Sequence, residues 1–454
     1  MKYKPHKKPV TRAFLDIELP EPRISKLAIF LIRILVRPYL FFFIGFAKII
    51  LGGEKHLFDA FKNSLSGKSR CIIAFRHPYG HEPQILSWFF LFKLRALAAR
   101  QKIKFSQRPH ALFVYGYEVV RWGGWTARFF MPRVGAMPVH HNKLDSKGMA
   151  RINKAIYEGP YPVALSPEGQ VSYTADSVPH LEPGVIRLGF TAAEKLKKSG
   201  EEAELEILPL SVHFRYGRGA EKEIEKLLSR IEKICSLPVQ KTLSQTERMK
   251  ILREHILSVN EKLYEINDEA SGSFEERLEA IIEKALLTAE RIMGIKNEDT
   301  SFKENFFFRI YRLRQVCWDK IYLPGVLSFK GMSVLERNII DLSAGEAWYA
   351  GRHQELIDFC WYFRVPLPTE ETELHKKVEY VQNLYDFASR SMGGTISERK
   401  NIFPQRIILQ SAPPLNLSER LEGFHNDKKA EINLAMEDME KAFLDCIEDA
   451  DKIL

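Results

Sequence analysis

The segment from Ile72 to Ser87 reads IIAFRHPYGHEPQILS, and its order of residue types decides how the chain folds. The short apolar run Cys71–Phe75 is typical of a buried strand. Pro83 is well placed at the start of a helix, where its missing N–H costs nothing. The segment therefore predicts a strand, a turn and a helix in succession.

Short β-prone runs recur on both sides of this segment and alternate with helical stretches. Such alternation predicts an α/β fold with a mostly parallel sheet flanked by helices. The other predicted strands are Ala111–Tyr115, Ala136–Val139, Tyr161–Leu165 and Glu206–Phe214, and the predicted helices are Gln84–Arg100, Ser146–Tyr157 and Gly184–Lys198.

The chain changes character after residue 219, where apolar residues recur at three- and four-residue spacing among many Glu and Lys. This spacing predicts a largely helical region. A strand-like run returns at Arg406–Gln410, and an amphipathic helix follows at Asp427–Ile453. A late strand after a long helical block indicates that the helical region is inserted into, or appended to, the sheet domain.

These changes predict five regions in a chain of 454 residues. They are a polar tail at 1–25, membrane-interface helices at 26–68, an α/β core at 69–218, a helical insertion at 219–400, and a strand and helix at 401–454 that return to the core.

The segment Lys26–Gly53 is strongly apolar, but Arg33, Arg37 and Lys48 interrupt it and Pro38 divides it. A charge at the centre of a bilayer costs about 2.5–3.5 kcal/mol, which disfavours a clean transmembrane span. Two short amphipathic helices in the headgroup region, with their cations reaching the phosphates, explain the pattern better. A true span and a buried core helix are the alternatives.

The composition of the chain favours some classes of binding partner but does not identify a particular one. Lys and Arg number 67 against 58 Asp and Glu, a net charge of +9 that favours anionic partners. The 5 cysteines are dispersed and form no CxxC pair, which favours a reducing compartment. No RRM, KH or zinc-finger pattern is present, so nucleic acid is not a predicted partner.

His77 and Glu82 lie in the predicted strand-to-helix turn, at the sheet edge where α/β proteins gather ligands. A carboxylate beside an imidazole fixes its tautomer and stabilises the imidazolium that forms when a hydroxyl loses its proton. A surface loop histidine is the alternative interpretation. A metal pair of His77 and His81 is disfavoured, because Pro78 and Gly80 break the helix that this spacing needs.

Two further segments follow predicted strands. In Val163–Ser172, VALSPEGQVS, the tight turn should aim Glu168 outward, and Gly169 permits the turn's backbone. In Val134–Lys143, VGAMPVHHNK, the cluster that includes His141 and Lys143 either receives a phosphate or forms a solvated loop.

These segments, in this order, resemble the glycerolipid acyltransferase family typified by lysophosphatidic acid acyltransferase. The resemblance covers about Lys26–Tyr216. Its blocks are a His, four residues and an acid (His77 to Glu82), a Gly-led strand (Gly135–His141), a Pro-Glu-Gly turn (Ser166–Val171), a Gly-containing helix start (Leu181–Leu188) and an apolar strand with Pro (Ile207–Leu210).

The resemblance implies that His77 deprotonates the acceptor hydroxyl and that Glu82 is its partner. It implies that Glu168 and Gly169 shape the acceptor site, and that acyl-CoA or acyl carrier protein is the co-substrate, with no metal or other cofactor. It also implies attachment to membrane phospholipids, which we expect at the cytoplasmic face.

The sequence departs from the family pattern at three places. Glu82 replaces the usual Asp, His141 stands where the family has a phosphate-binding Arg, and Gln170-Val171 replaces Thr-Arg. Arginine binds phosphate with two parallel hydrogen bonds that His and Val cannot copy. Either Arg76, Lys143 or Arg187 substitutes for these arginines, or the acceptor is not a simple lysophosphatidate.

The expected function is therefore transfer of a fatty acyl group to the hydroxyl of a lysophospholipid or glycerol phosphate, in phospholipid biosynthesis. A non-catalytic lipid-binding or scaffold protein on the same fold is the main alternative. A hydrolase using the same pair is disfavoured, because the chain has no GxSxG nucleophile elbow.

Overall fold

The computed structural model describes residues 10–16, 21–46, 48–140, 145–217, 219–266, 272–296, 302–392, 399–403 and 406–453. The chain divides into two compact units. Residues 19–217 and 403–454 form the sheet unit, and residues 1–18 and 218–402 form the helical unit.

The strands are, in chain order, β1 Phe14–Leu15, β2 Lys48–Gly52, β3 Ser69–Phe75, β4 Leu112–Gly116, β5 Met137–Val139, β6 Val163–Leu165, β7 Glu204–Arg215, β8 Tyr322–Leu323, β9 Arg406–Ser411 and β10 Leu415–Asn416.

The sheet unit contains the helices α1 Lys26–Tyr39, α2 Glu54–Ser66, α3 Glu82–Trp88, α4 Arg95–Arg100, α5 Val119–Trp122, α6 Gly124–Arg133, α7 Ser146–Glu158 and α8 Gly184–Ser199. The helical unit contains α9 Gly219–Ile234, α10 Gln245–Leu263, α11 Phe274–Ile292, α12 Phe302–Ile321, α13 Val334–Tyr362 and α14 Leu374–Ser391. The chain then returns to the sheet unit with α15 Leu421–Asn426 and α16 Lys428–Asp451, and π-helical turns occupy Leu40–Ile44 and Phe89–Leu94.

The main sheet has the strand order β2-β9-β7-β3-β6-β4-β5, and β10 also pairs with β7. Strands β7, β3, β6, β4 and β5 are mutually parallel, whereas β9 runs antiparallel to β7. The prediction of an α/β fold with a mostly parallel sheet flanked by helices is therefore confirmed. The parallel strands all end at one edge of the sheet, and this edge carries the candidate site.

Alternation along β3 sends its side chains into two separate apolar clusters. Ile73 and Phe75 face a cluster that includes Phe113, whereas Ile72 and Ala74 face the other. Both faces of the strand are buried because helices cover both sides of the sheet. The same alternation, continued past the strand's end, sends the next two side chains to opposite faces.

The strand predicted at Arg406–Gln410 is present as β9, between β2 and β7. The second half of β7, from Leu210 to Arg215, pairs with β9 after its first half has paired with β3. Strand β7 therefore continues beyond the end of β3 and forms one wall of the turn that follows β3.

The N-terminal apolar segment differs in part from expectation. Helix α1 and the π-helical turn occupy its first part, but Lys48–Gly52 is the strand β2, which pairs in parallel with β9. At Gly52 a Cβ would lie 1.7 Å from the side-chain oxygen of Gln410, so a larger residue there would require the Gln410 side chain to move. The expectation of helix throughout Lys26–Gly53 is wrong for this strand.

Helix α2 also differs from the expected membrane-interface region at 26–68. It buries Leu57, Phe58 and Phe61 in the apolar cluster of the sheet unit, so it is a core helix. Among the described residues, no helix combines the length and the hydrophobicity needed to cross a bilayer.

In the helical unit, helices are stabilised by capping and by buried ion pairs. Ser244, Ser273 and Ser333 each form a capping box with the glutamate three residues later. Arg248 and Glu232 form a buried pair with a separation of 2.8 Å, which joins α10 to α9.

Candidate active site

The turn from β3 to α3 is organised around the carboxylate of Glu82, which is fully buried. Its Oε1 accepts a hydrogen bond from the backbone N–H of Tyr79 at 2.8 Å, and its Oε2 accepts one from Gly80 at 2.9 Å. Gly80 has a φ of +90°, a left-handed conformation that favours glycine. The turn therefore places Glu82 with its Oε2 directed at the end of β3.

The imidazole of His77 completes this arrangement. Its Nδ1 lies 2.6 Å from Glu82 Oε2, and its ring packs edge-on against Phe75 at 5.7 Å between centroids. An Nδ1–H that donates to the carboxylate leaves the lone pair on Nε2, the atom that accepts a proton from a substrate. The His77 side chain is 18% exposed, so a hydroxyl can approach the ring.

The pKa of His77 is raised above its ordinary value. Burial acts to lower the pKa, but the hydrogen bond and charge of Glu82, together with the charge of Glu168, outweigh that effect. The same interactions stabilise the imidazolium that a general base becomes after it takes a proton.

Glu168 points inward, and the expectation that it is aimed outward is wrong. Its carboxylate is buried and forms an ion pair with Arg76 through Oε1 and Arg76 Nε. Its Oε2 accepts a hydrogen bond from the backbone N–H of His77 at 2.8 Å. Glu168 therefore ties the turn after β6 to the first two residues after β3.

Arg76 is fully buried, which argues against its expected role as a phosphate ligand. Its Nη2 donates to the carbonyl oxygens of Thr174 at 2.9 Å and Ser177 at 2.7 Å. Its guanidinium also lies 5.7 Å from the ring of Phe443 in α16. Arg76 and His77 thus project to opposite faces of the sheet, Arg76 into the interior and His77 towards a partly open surface.

Among the other expected substrate-binding residues, Gly169 and Arg187 are described, whereas His141 and Lys143 lie outside the described residues. Gly169 has a φ of +70° and donates to the carbonyl oxygen of Ser166 at 3.3 Å, so it forms the tight turn predicted for it. Arg187 is exposed in the first turn of α8.

Sequence reasoning missed the loop after Gly169 as part of the site. Ser172 donates its backbone N–H to the carbonyl oxygen of His77 at 3.0 Å, and the same loop supplies the two carbonyls that hold Arg76. The small polar residues Ser172, Thr174, Asp176 and Ser177 were the available signal, since such residues favour hydrogen-bonded turns.

A second histidine–carboxylate pair lies in the same unit. His213 Nδ1 is 3.1 Å from Asp176 Oδ1, and the His213 side chain is completely buried. Burial lowers the pKa of His213, and the charges of Arg215 and Arg76 lower it further against the influence of Asp176. A buried imidazole cannot receive a proton from a substrate, so exposure distinguishes His77 from His213 as the candidate base.

The fold and site define an α/β protein with a histidine–glutamate pair at the carboxyl edge of a mostly parallel sheet. No protein-family model matches the chain, and no curated protein matches it. The chemistry of the site is therefore the basis for assigning a function.

We expect Glu168→Gln to destabilise the sheet unit by about 3–5 kcal/mol, because the change leaves the Arg76 charge buried without its ionic partner. Hydrogen exchange of the β3 amides in the full chain measures this loss. Glu21→Gln is the matched control, since Glu21 pairs with Arg151 at 2.7 Å but its side chain is 78% exposed. The control should cost at most about 1 kcal/mol, and equal losses would contradict the structural role of Glu168.

Proposed function

We propose that this chain is an O-acyltransferase that moves a fatty acyl group from a thioester to the hydroxyl of a glycerolipid. The observation that carries the proposal is the 2.6 Å contact between His77 Nδ1 and Glu82 Oε2, on an imidazole that remains partly exposed. It is the arrangement that a general base needs in order to activate an alcohol.

In the proposed reaction, His77 Nε2 accepts the proton of the acceptor hydroxyl as its oxygen attacks the thioester carbonyl. Glu82 stabilises the imidazolium that results. The tetrahedral intermediate then collapses, the carbon–sulfur bond breaks, and the leaving thiolate takes the proton from His77. One ester forms and one thiol is released, so the reaction needs no oxidant, reductant or covalent enzyme intermediate.

The donor in this proposal is acyl-CoA or acyl carrier protein, and the acceptor is a lysophospholipid or glycerol phosphate. Since Arg76 is internal, Arg187 is the described candidate for a headgroup phosphate. Helix α8, which carries Arg187, starts beside the Pro-Glu-Gly turn. Just before this helix, the backbone N–H of Glu182 donates to the carbonyl oxygen of Pro167 at 2.6 Å.

The proposed location is the cytoplasmic face of a membrane, with α1 in the headgroup region. Helix α1 buries Ala28 and Ile29 and exposes Leu27, Phe30 and Ile34. It also contacts α3, the helix that begins at Glu82. A lipid hydroxyl would then reach the site from the bilayer surface without passing through water.

A non-catalytic lipid-binding protein is the second candidate. The complete burial of Arg76 favours it, because one of the cations expected to replace the family's phosphate-binding arginines is unavailable to a ligand. Release of free carrier thiol from a labelled acyl thioester separates the two candidates. A lipid-binding protein would release thiol only at the background rate.

We expect His77→Ala to lower acyl transfer by about 10²- to 10⁴-fold, because the general base is removed. Lipid mass analysis after incubation with a labelled acyl thioester and a panel of lysolipids measures the product. Glu82→Gln should cost less, since part of the hydrogen-bond geometry survives. His425→Ala, at an exposed histidine of α15, is the matched control and should transfer normally. Normal transfer by His77→Ala would reject the proposal.

We expect kcat/KM to fall in acid, because protonated His77 cannot accept a proton. Since the pKa of His77 is raised, the midpoint of this fall should lie above the ordinary histidine value of about 6.5. Glu82→Gln should move the midpoint down, because it removes the hydrogen bond and the charge of Glu82, which raise the pKa, while burial continues to lower it and only the charge of Glu168 still raises it. An upward shift in that variant would contradict the assigned partnership.

We expect the double substitution Arg33→Glu and Arg37→Glu to weaken binding to anionic vesicles by at least about 1 kcal/mol per removed cation. Flotation of the full chain with vesicles measures the bound fraction. The matched control is Lys197→Glu with Lys198→Glu, which makes the same charge change at exposed positions of α8. Equal weakening in both variants would mean that vesicle binding depends only on net charge, which would count against α1 as the anchor.

A further inference from the structure

Two segments of the sheet unit lack acidic residues entirely. The segment 22–53 contains five basic residues and no Asp or Glu, the basic residues being Arg23, Lys26, Arg33, Arg37 and Lys48. The segment 119–144 contains four and likewise no Asp or Glu, namely Arg121, Arg128, Arg133 and Lys143. In a chain with 67 basic and 58 acidic residues, such separation of charge marks both segments as candidate surfaces for an anionic partner.

These two segments are neighbours in the fold. Ser25, the N-cap of α1, donates its backbone N–H to the carbonyl oxygen of Arg133 at 2.8 Å, and Arg23 donates to Pro132 at 2.7 Å. Ile24 and Val134 form an antiparallel bridge between them. Helices α1 and α6 are also in contact, so α1 and the residues just before it form one continuous region with α6.

Helix α6 carries large apolar side chains at the surface of this region. Trp125 is 70% exposed, and its ring stacks on that of Phe129 at 5.3 Å between centroids. The guanidinium of Arg133 lies 4.1 Å from the centre of the Phe129 ring, and Arg128 is exposed. Tryptophan and arginine side by side are typical of surfaces that lie at the headgroup level of a bilayer.

We propose that α6, with Trp125 as its anchor, is a second bilayer-docking element, and that α1 and α6 together form one face for an anionic membrane. This inference rests on the membrane location in the proposed function and adds a contact outside the N-terminal apolar segment. The apolar side chains enter the headgroup region, and the surrounding cations contact lipid phosphates.

The position of α6 in the chain places this face near the candidate active site. Helices α5 and α6 connect β4 to β5, two strands that end at the same edge of the sheet as β3. Helix α1 contacts α3, which begins at Glu82. A bilayer bound to both helices would therefore lie beside the edge where His77 is exposed.

Flotation of the full chain with phosphatidylserine–phosphatidylcholine vesicles tests this inference. We expect Trp125→Ser to lower the partition coefficient roughly tenfold, which corresponds to about 1.4 kcal/mol. Arg128→Glu should weaken binding to these vesicles as well. Leu434→Ser is the matched control, because Leu434 is an exposed apolar residue of α16 in the same unit, and it should bind like the wild type.

Quenching of tryptophan fluorescence by brominated lipids reports directly on how deeply a tryptophan enters the bilayer. The chain has 6 tryptophans, so the contribution of Trp125 is the quenching lost in Trp125→Phe, a variant that keeps an aromatic anchor and should remain bound. A measurable loss supports insertion of Trp125. Unchanged quenching, or unchanged partitioning of Trp125→Ser, overturns the inference while leaving α1 as the anchor.

Two other outcomes also overturn the inference. If the wild-type chain bound no anionic vesicle, neither α1 nor α6 would be a membrane-docking element. Release of thiol in the presence of a detergent-dispersed acceptor tests the acyltransferase proposal separately. If Trp125→Ser binds vesicles normally but loses binding to acyl carrier protein, the α6 surface is assigned to a protein partner instead.

Discussion

The carboxylate of Glu168 is the group on which the site's geometry depends. One of its oxygens pairs with the buried Arg76 and the other accepts the backbone N–H of His77. A buried charge is stable only when it is paired and hydrogen-bonded, so this contact holds the turns after β3 and β6 in fixed relation. Ser172 strengthens the link by donating to the carbonyl oxygen of His77.

Strand geometry lets adjacent residues take unrelated roles. Arg76 follows the alternation of β3 to the α16 side, where it joins buried polar groups, while His77 goes to the opposite side and meets Glu82. The pairs His77–Glu82 and His213–Asp176 show the consequence of environment. Burial keeps the pKa of His213 low, whereas Glu82 raises that of His77 where solvent can reach the ring.

Local patterns were sufficient to predict the strand, turn and helix around His77 and the closeness of Glu82. They were insufficient for Glu168, because its ionic partner lies 92 positions away and no local pattern reveals that pairing. They also failed at β2. Periodicity cannot separate a short apolar strand from a buried helix, and the partner that makes Lys48–Gly52 a strand is β9, near the end of the chain.

An inward Arg76 constrains how the proposed reaction can recognise its acceptor. If the guanidinium is committed to Glu168 and two backbone carbonyls, an acceptor phosphate must be held by cations at the surface of the unit. The exposed Arg187 and the acid-free region of α1 and α6 are such surfaces. Recognition would then depend on presenting the lipid at a charged interface, with the hydroxyl directed to His77, more than on a closed pocket around its headgroup.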